Sequence, residues 1–277
     1  MLTTTNGAAV LLPDEVGALL VEPTLAMSVA AAVSTIVHTG SKSFRIPLVS
    51  ADPSAEWVNE GQEITPSDPT LSEVVVTPSK VAGLTIISNE LAKDSSPEAA
   101  GIVGEGLARD IARKIDAAYF GNLLPPAPAG LRSVVGVTAV AAGTAFTNLD
   151  AFAEAVAAAE QVGAILTHFV ANPADALAMA KLRKSTGSNE PLLSSSATDA
   201  STRQLVGVPL LVSPSVAAGT VWGIDGSRSY LVIREDATVE VDASPFFTSD
   251  RTAVRAVERV GFAFPHAASV VKITTGP

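Results

Sequence analysis

Between Ala51 and Ser79 the chain carries the carboxylates Asp52, Glu56, Glu60, Glu63, Asp68 and Glu73, and no Lys or Arg. Inside that base-free run, in Ala55-Glu-Trp-Val-Asn-Glu-Gly61, stands Trp57. A self-contained domain has little reason to place an indole among carboxylates. Upstream, Ser43-Phe-Arg-Ile-Pro-Leu-Val-Ser50 reads as a short strand; downstream, the β-branched and apolar residues from Glu73 to Ser88 read as a returning strand. The spacing predicts a long two-stranded arm rooted on the helix that follows. An isolated hairpin is marginal in water, so such an arm needs another surface to lie on. Pro66, Pro69 and Pro78 restrain its edges from indiscriminate pairing. A solvated acidic loop is the plainer reading of the same residues.

The helix is predicted from Pro97 to about Tyr119. Ser95-Ser-Pro-Glu98 supplies a capping hydroxyl, a first-turn proline and a carboxylate at the positive end of the helix dipole. Ile102 or Val103, Leu107, Ile111 and Ile115 recur at helical spacing, while Glu105, Arg109, Arg113 and Asp116 are expected on other faces. Gly121 is a candidate C-cap, and Gly101, Gly104 and Gly106 weaken the helix.

Pro125-Pro-Ala-Pro128 marks a boundary. Beyond it, a helix beginning at Thr147 carries Leu149, Phe152 and Val156 on one face; Ala164 to Ala171 reads as a buried strand, and Asn172-Pro-Ala-Asp175 opens a second helix ending near Lys184. The alternation is an α/β pattern. A polar loop is expected at 185–203, then short strands from Gly207 to Val241 with turns at Ala218-Gly219 and Asp225-Gly226. From Arg251 the period is two, which puts Arg251, Arg255 and Arg259 on one strand face. That face, or Arg109 and Arg113 on the helix, is the candidate receptor for an acidic arm. A solvated strand face is the alternative.

Length and charge narrow the function. The chain has 277 residues, 47% of them apolar and only 17% charged, which suits a molecule that hides much of its surface, including against copies of itself. A net charge of −10 opposes tight non-specific nucleic-acid binding, whose affinity comes from phosphate neutralisation. An acidic container could still enclose DNA. With no cysteine there is no disulfide, thiolate zinc site or Cys nucleophile. His38, His168 and His266 lack metal-site spacing, and neither a Gly-x-Ser-x-Gly elbow nor a phosphate-binding loop occurs. No catalytic, cofactor-binding or metal-binding residue is singled out. Asp14, Glu15 and Glu22 break the N-terminal apolar run, so no stretch of about 20 apolar residues could cross a bilayer.

Several motifs in this order resemble the major capsid proteins of tailed bacteriophages: Ala55 to Gly61, Thr65-Pro-Ser-Asp68, Val76-Thr-Pro-Ser-Lys80, Ile87-Ser-Asn-Glu-Leu91, Asp94-Ser95 and Asp116-Ala-Ala-Tyr-Phe-Gly121. Gly207-Val-Pro209, Gly223-Ile-Asp225 and the tail from Phe247 to Ile273 continue the likeness. The resemblance implies the Hong Kong 97-type fold, a mixed α+β architecture. In it, 1–42 would be an N-terminal arm, 43–90 the extended loop, 91–124 the peripheral domain with its spine helix, 125–242 an α/β axial domain and 243–277 the returning peripheral strands.

The implied function is a non-enzymatic shell subunit, assembling as hexamers and pentamers into an icosahedral head around double-stranded DNA. It would be made in the host cytoplasm and reside in the virion, without cofactor or membrane. Its implied partners are itself, a portal and in some shells a decoration protein; since Met1 stands close to the arm, a separate scaffolding protein or none is expected. One branch of the family welds its subunits through a Lys in the extended loop. The stretch from Ala51 to Ser79 has none, so a shell without covalent cross-links is expected. Contacts between subunits are expected at Trp57, Glu56, Glu60, Glu63 and Asp68 on one side and at Arg109, Arg113, Arg251, Arg255 and Arg259 on the other. An encapsulin-like compartment is the alternative within this fold, and an α/β hydrolase-like enzyme is a third reading.

Overall fold

The computed structural model describes residues 27–51, 53–89, 98–185, 192–193, 203–242 and 244–276. The expected N-terminal arm up to residue 26, the cap at Ser95 to Pro97 and most of the polar loop 185–203 lie outside the described residues.

The predicted helix is present as a 23-residue element, Glu98–Phe120, which follows a short helix, Val29–Ala32 (α1), and is called α2. Ile111, Ile115, Ala118 and Tyr119 are buried along one stripe, as their spacing requires. Gly121 takes no left-handed backbone angle. It follows the last helical residue, and a Cβ on it would lie 2.3 Å from the Ala117 carbonyl oxygen; Gly130 passes the same end, where a Cβ would strike the carbonyl oxygens of Ala118, Tyr119 and Gly121, so only glycine lets the chain pass so near. Of the two shorter helices, Asp150–Gln161 (α3) starts three residues after the expected Thr147, behind Leu149 and with no side-chain cap, whereas Pro173–Ala180 (α4) starts as the sequence indicates and stops four residues short of Lys184. Asn172 caps α4, its side-chain oxygen accepting from Ala174 N–H at 3.0 Å.

The strands among the described residues form three sheets. Thr35–His38 (β1) lies parallel to Tyr230–Asp242 (β10), which pairs antiparallel with Arg251–Ala263 (β11), which pairs antiparallel with Ser79–Ser88 (β4). A six-stranded mixed sheet has the order Thr138–Ala141 (β5), Val271–Thr274 (β12), Thr220–Ile224 (β9), His168–Ala171 (β6), Val208–Val212 (β8), Gln204–Leu205 (β7). The third sheet is the arm, Phe44–Ala51 (β2) against Thr70–Val76 (β3).

Three expectations change. The returning strand from Glu73 to Ser88 is two strands: β3 stays with β2, the chain breaks at Thr77-Pro78, and β4 joins β11. Pro78 has no N–H for a ladder, so the partner switch falls there. The arm is rooted on a sheet, not on the helix: Phe44, Ile46 and Val74 pack around Val76, Val232 and Ala263. Gly261 permits this, since a Cβ on it would meet Val76 Cγ1 at 2.6 Å and Pro78 Cα at 3.3 Å. Strand pairing also crosses the division expected at residue 242, because β10 belongs to the four-stranded sheet and β12 to the six-stranded one.

Alternation along the six-stranded sheet supplies two cores. Phe169, Ala171, Val221 and Ile273 face Phe152, Ala155 and Met179 of α3 and α4. Val170, Trp222 and Ile224 face the other way, meeting Ile115 and Tyr119 of α2 together with Leu231, Ala256 and Val260 of the four-stranded sheet. The helix α2 thus sits between the sheets, and its aromatic end makes edge-on contacts, Tyr119 lying 5.1 Å from Phe262 and 5.3 Å from Phe264.

Candidate interaction surface

The arm's register runs from Phe44 opposite Val76 to Ala51 opposite Thr70. Its base is packed and its far end is not. Residues 53–69 hold no strand or helix; their local order includes a turn in which Gln62 N–H donates to the Asn59 carbonyl at 3.1 Å and a tie from Ser67 Oγ–H to the Ser54 carbonyl at 3.1 Å. Trp57 is fully exposed at 105%, and Ile64 and Leu71 are exposed at 74% and 70%. Glu56, Glu60, Glu63 and Asp68 stand in solvent around them. The indole is not sheltered by its own chain. Fully burying a large side chain is worth about 1.5–3 kcal/mol, and this chain leaves that stabilisation unused.

The two candidate basic rows lie on opposite sides of the four-stranded sheet. The register pairs Arg251 with Ser88, Arg255 with Leu84 and Arg259 with Lys80, so these residues share one face. Val81, Gly83, Ala256 and Val260 occupy the other, which packs on α2; a Cβ on Gly83 would meet Leu107 Cδ1 at 2.5 Å. Arg109 and Arg113 are exposed on α2. The structure therefore does not bring the two rows together.

Two arginines of the strand row, Arg255 and Arg259, are also matched within the chain. Arg255 bonds Glu240, which sits opposite it on β10, and Arg259 Nε lies 3.2 Å from Glu235 Oε2. In the arm, Arg45 reaches Glu73 at 3.0 Å. Such exposed pairs are each worth about 0–1 kcal/mol.

Sequence periodicity misplaces one carboxylate. Asp116, expected on an outer helix face, is only 6% exposed and accepts from Ser28 Oγ–H at 2.7 Å, Val29 N–H at 3.2 Å and Ala30 N–H at 2.9 Å. Burial pushes its carboxyl above the usual carboxylate range, although these donors pull it down. It ties the first described residues to α2. Nothing in the spacing of Asp116 signals a partner nearly ninety positions upstream. Also missed were Lys80, Lys114, Leu123 and Leu124, which border a groove beside β4.

The histidines stand on separate elements: His38 ends β1, His266 precedes a 3-10 turn, and His168 opens β6 with Nδ1 3.0 Å from Thr167 Oγ1 and its pKa lowered by burial. Among the described residues no group of three or more His, Asp or Glu is placed to hold a metal, and no helix is long and apolar enough to cross a membrane.

Comparison with solved structures finds the same fold at low identity. The capsid of a native GTA particle, computed with C5 symmetry, is 20% identical, with 92% of this chain and 91% of that chain covered and a TM-score of 0.74. Microbacterium phage Oxtober96 matches at 19% identity over 90% of this chain and 91% of its own, with a TM-score of 0.76. Mycobacterium phage Adephagia matches at 18% over 90% of each chain, with a TM-score of 0.73. No curated protein matches. The family model for the phage capsid family matches residues 8–275. The mixed α+β architecture is thus the Hong Kong 97-type capsid fold, and the chain belongs to the phage capsid family as a major capsid protein of the phage head shell.

Proposed function

We propose that this capsid protein builds pentamers and hexamers of an icosahedral shell around double-stranded DNA, each copy laying its arm on an adjacent subunit without a covalent weld. The observation that carries the reading is Trp57, fully exposed at the end of an arm whose base is firmly packed. A C5-symmetric particle among the similar structures supports a five-fold capsomer. The absence of Lys between Ala51 and Ser79 supports a shell held by non-covalent contacts. The role is structural and not catalytic, and the acidic chain contacts DNA only weakly. Assembly takes place in the host cytoplasm, with scaffolding, portal and decoration proteins as the partners such a shell meets.

Expression of the full chain tests this directly. Electron microscopy should show closed particles or capsomers, boiled samples should run as single subunits on a denaturing gel, and purified particles should contain nucleic acid. A small oligomer at high concentration would refute the shell. Protein cargo in place of nucleic acid would select the encapsulin-like alternative.

A further inference from the structure

The two larger sheets meet at a seam, and residues 28–35 lie across it. The connection 225–229 leaves the six-stranded sheet at Ile224 and enters the four-stranded one at Tyr230. Thr35 N–H donates to the Ser229 carbonyl and Thr35 Oγ1–H to the Gly226 carbonyl, both at 2.8 Å. The approach is close, since a Cβ on Gly226 would come within 3.1 Å of the Val33 carbonyl oxygen. One residue earlier, Ser34 Oγ and the Tyr119 hydroxyl of α2 share a hydrogen bond of 2.6 Å. At the start of the segment, Asp116 of α2 accepts from Ser28, Val29 and Ala30, and also from the hydroxyl of Ser213, which follows β8. One carboxylate thus joins the segment, the helix and the six-stranded sheet.

Little apolar area holds this segment down. α1 is a single turn of four residues, too short to stand alone. The side chains it buries are Ala30 and Ala31, with Val33 just after it. β1 is a four-residue strand at one edge of its sheet, and most of it is exposed. The sheets on either side are closed by Phe152, Phe169, Trp222 and Leu231, none more than 1% exposed. Segments with few buried apolar contacts open at lower cost than core strands.

We propose that residues 28–35 are a strap latched by Asp116, which unseats while both sheets stay folded and so frees the angle between them. Its use rests on the shell reading: a chain that takes its place in both pentamers and hexamers needs an internal adjustment, and the seam sets the angle between its sheets. The groups that act on the latch carry no charge, namely Ser28, Val29, Ala30 and Ser213. The titratable neighbour is Tyr119 on the same helix, whose phenol is pushed upward by burial and to a lesser degree by the charge of Asp116. Burial raises the Asp116 carboxyl above its ordinary range, and unseating returns it to water and to a value near 3.8. The seated strap therefore holds a proton that the unseated one releases, so seating weakens as pH rises from 3.8 through the raised value.

Hydrogen exchange on the full-length chain, read by mass spectrometry, tests the strap. Relative to intrinsic rates, a peptide covering 27–36 should exchange at least about a hundredfold faster than one covering 166–172. Its protection should fall between about pH 4 and neutrality, and Asp116→Asn should abolish that dependence. Equal protection of the two peptides overturns the strap, and a parent-like pH profile in Asp116→Asn overturns the latch. Ser28→Ala, which removes one donor, should speed exchange of 27–36 about fivefold and leave 166–172 unchanged; equal speeding of both peptides also counts against independent opening. Electron microscopy of Ser28→Ala particles reads the use of the strap, since their diameters should spread more widely than the parent's. An unchanged spread defeats the adjustment of angle, whereas a parent chain that forms no particles defeats the shell reading and leaves the exchange result standing.

Discussion

The six-stranded sheet and the arm are both built from short strands, yet they solve the burial problem in opposite ways. In the sheet, alternate residues of β6 and β9 supply two faces, and helices close both: Phe169 and Val221 on one side, Val170 and Trp222 on the other. In the arm the same alternation yields one packed patch at the base and apolar side chains in water elsewhere, Val75 on the other face of the base and Val49 and Leu71 beyond it. The chain's two tryptophans mark the contrast, Trp222 being 1% exposed and Trp57 fully exposed. Where partners are supplied within the chain, substitutions will damage folding. Where they are not, substitutions will damage assembly and leave folding alone.

The largest effect on folding should come from the sheet module. Phe152→Ala removes a wholly buried ring that meets Phe169 edge-on at 5.4 Å, and should cost about 3–5 kcal/mol, read from the urea midpoint. A cost below about 1 kcal/mol would mean the module is looser than its packing implies.

Next comes the junction at α2. Asp116→Ala strands the donors Ser28, Val29 and Ala30, and should cost roughly 2–4 kcal/mol. Asp116→Asn adds a pH signature. The native carboxyl binds its proton more tightly than the unfolded one, whose pKa is near 3.8. The group therefore favours folding fully below that value and loses its contribution as pH rises through the raised native one. The urea midpoint of the parent should fall relative to Asp116→Asn as pH is raised from about 3.5 toward neutrality. Parallel profiles would contradict the raised native value.

Arg255→Ala, which removes the exposed pair with Glu240, should cost no more than about 1 kcal/mol and matter less in high salt. The smallest effect on folding belongs to Trp57→Ala, within about 0.5 kcal/mol of the parent, although sedimentation should show assembly impaired. A folding loss of 2 kcal/mol there would erase the distinction between the two regions.

The sequence discloses these regions unequally, for a physical reason. Leu107, Ile111 and Ile115 announce α2 because helical contacts recur within a few residues, and Asn172 announces α4 because a cap is local. Trp57 among carboxylates marks the arm. The turn at Asp225-Gly226 is equally local: Asp225 accepts from Ser227 N–H at 3.0 Å. What stays hidden is pairing between distant segments. Nothing local tells β3 and β4 apart as partners of different strands except Pro78, and nothing shows that β12 leaves β11 to lie between β5 and β9. Asp116 follows the outward spacing of Arg109 and Arg113 until Ser28 arrives from elsewhere in the fold. The groove is hidden likewise, because Lys80, Lys114 and Leu124 converge only once β4 packs beside α2.

The paired part of the arm also works as a gauge. From Phe44 opposite Val76 to Ala51 opposite Thr70, it projects roughly 20–25 Å at the usual rise per strand residue, and under the proposed lapping of neighbours that length would set their spacing. Trimming one matched position from each strand would shorten the reach by about 3.3 Å and turn every side chain beyond the cut to the opposite face. Trimming two would preserve the facing. Under that proposal the distance between neighbours would be adjustable only in steps of about 7 Å, a coarse unit that would couple the dimensions of the closed particle to the parity of a strand.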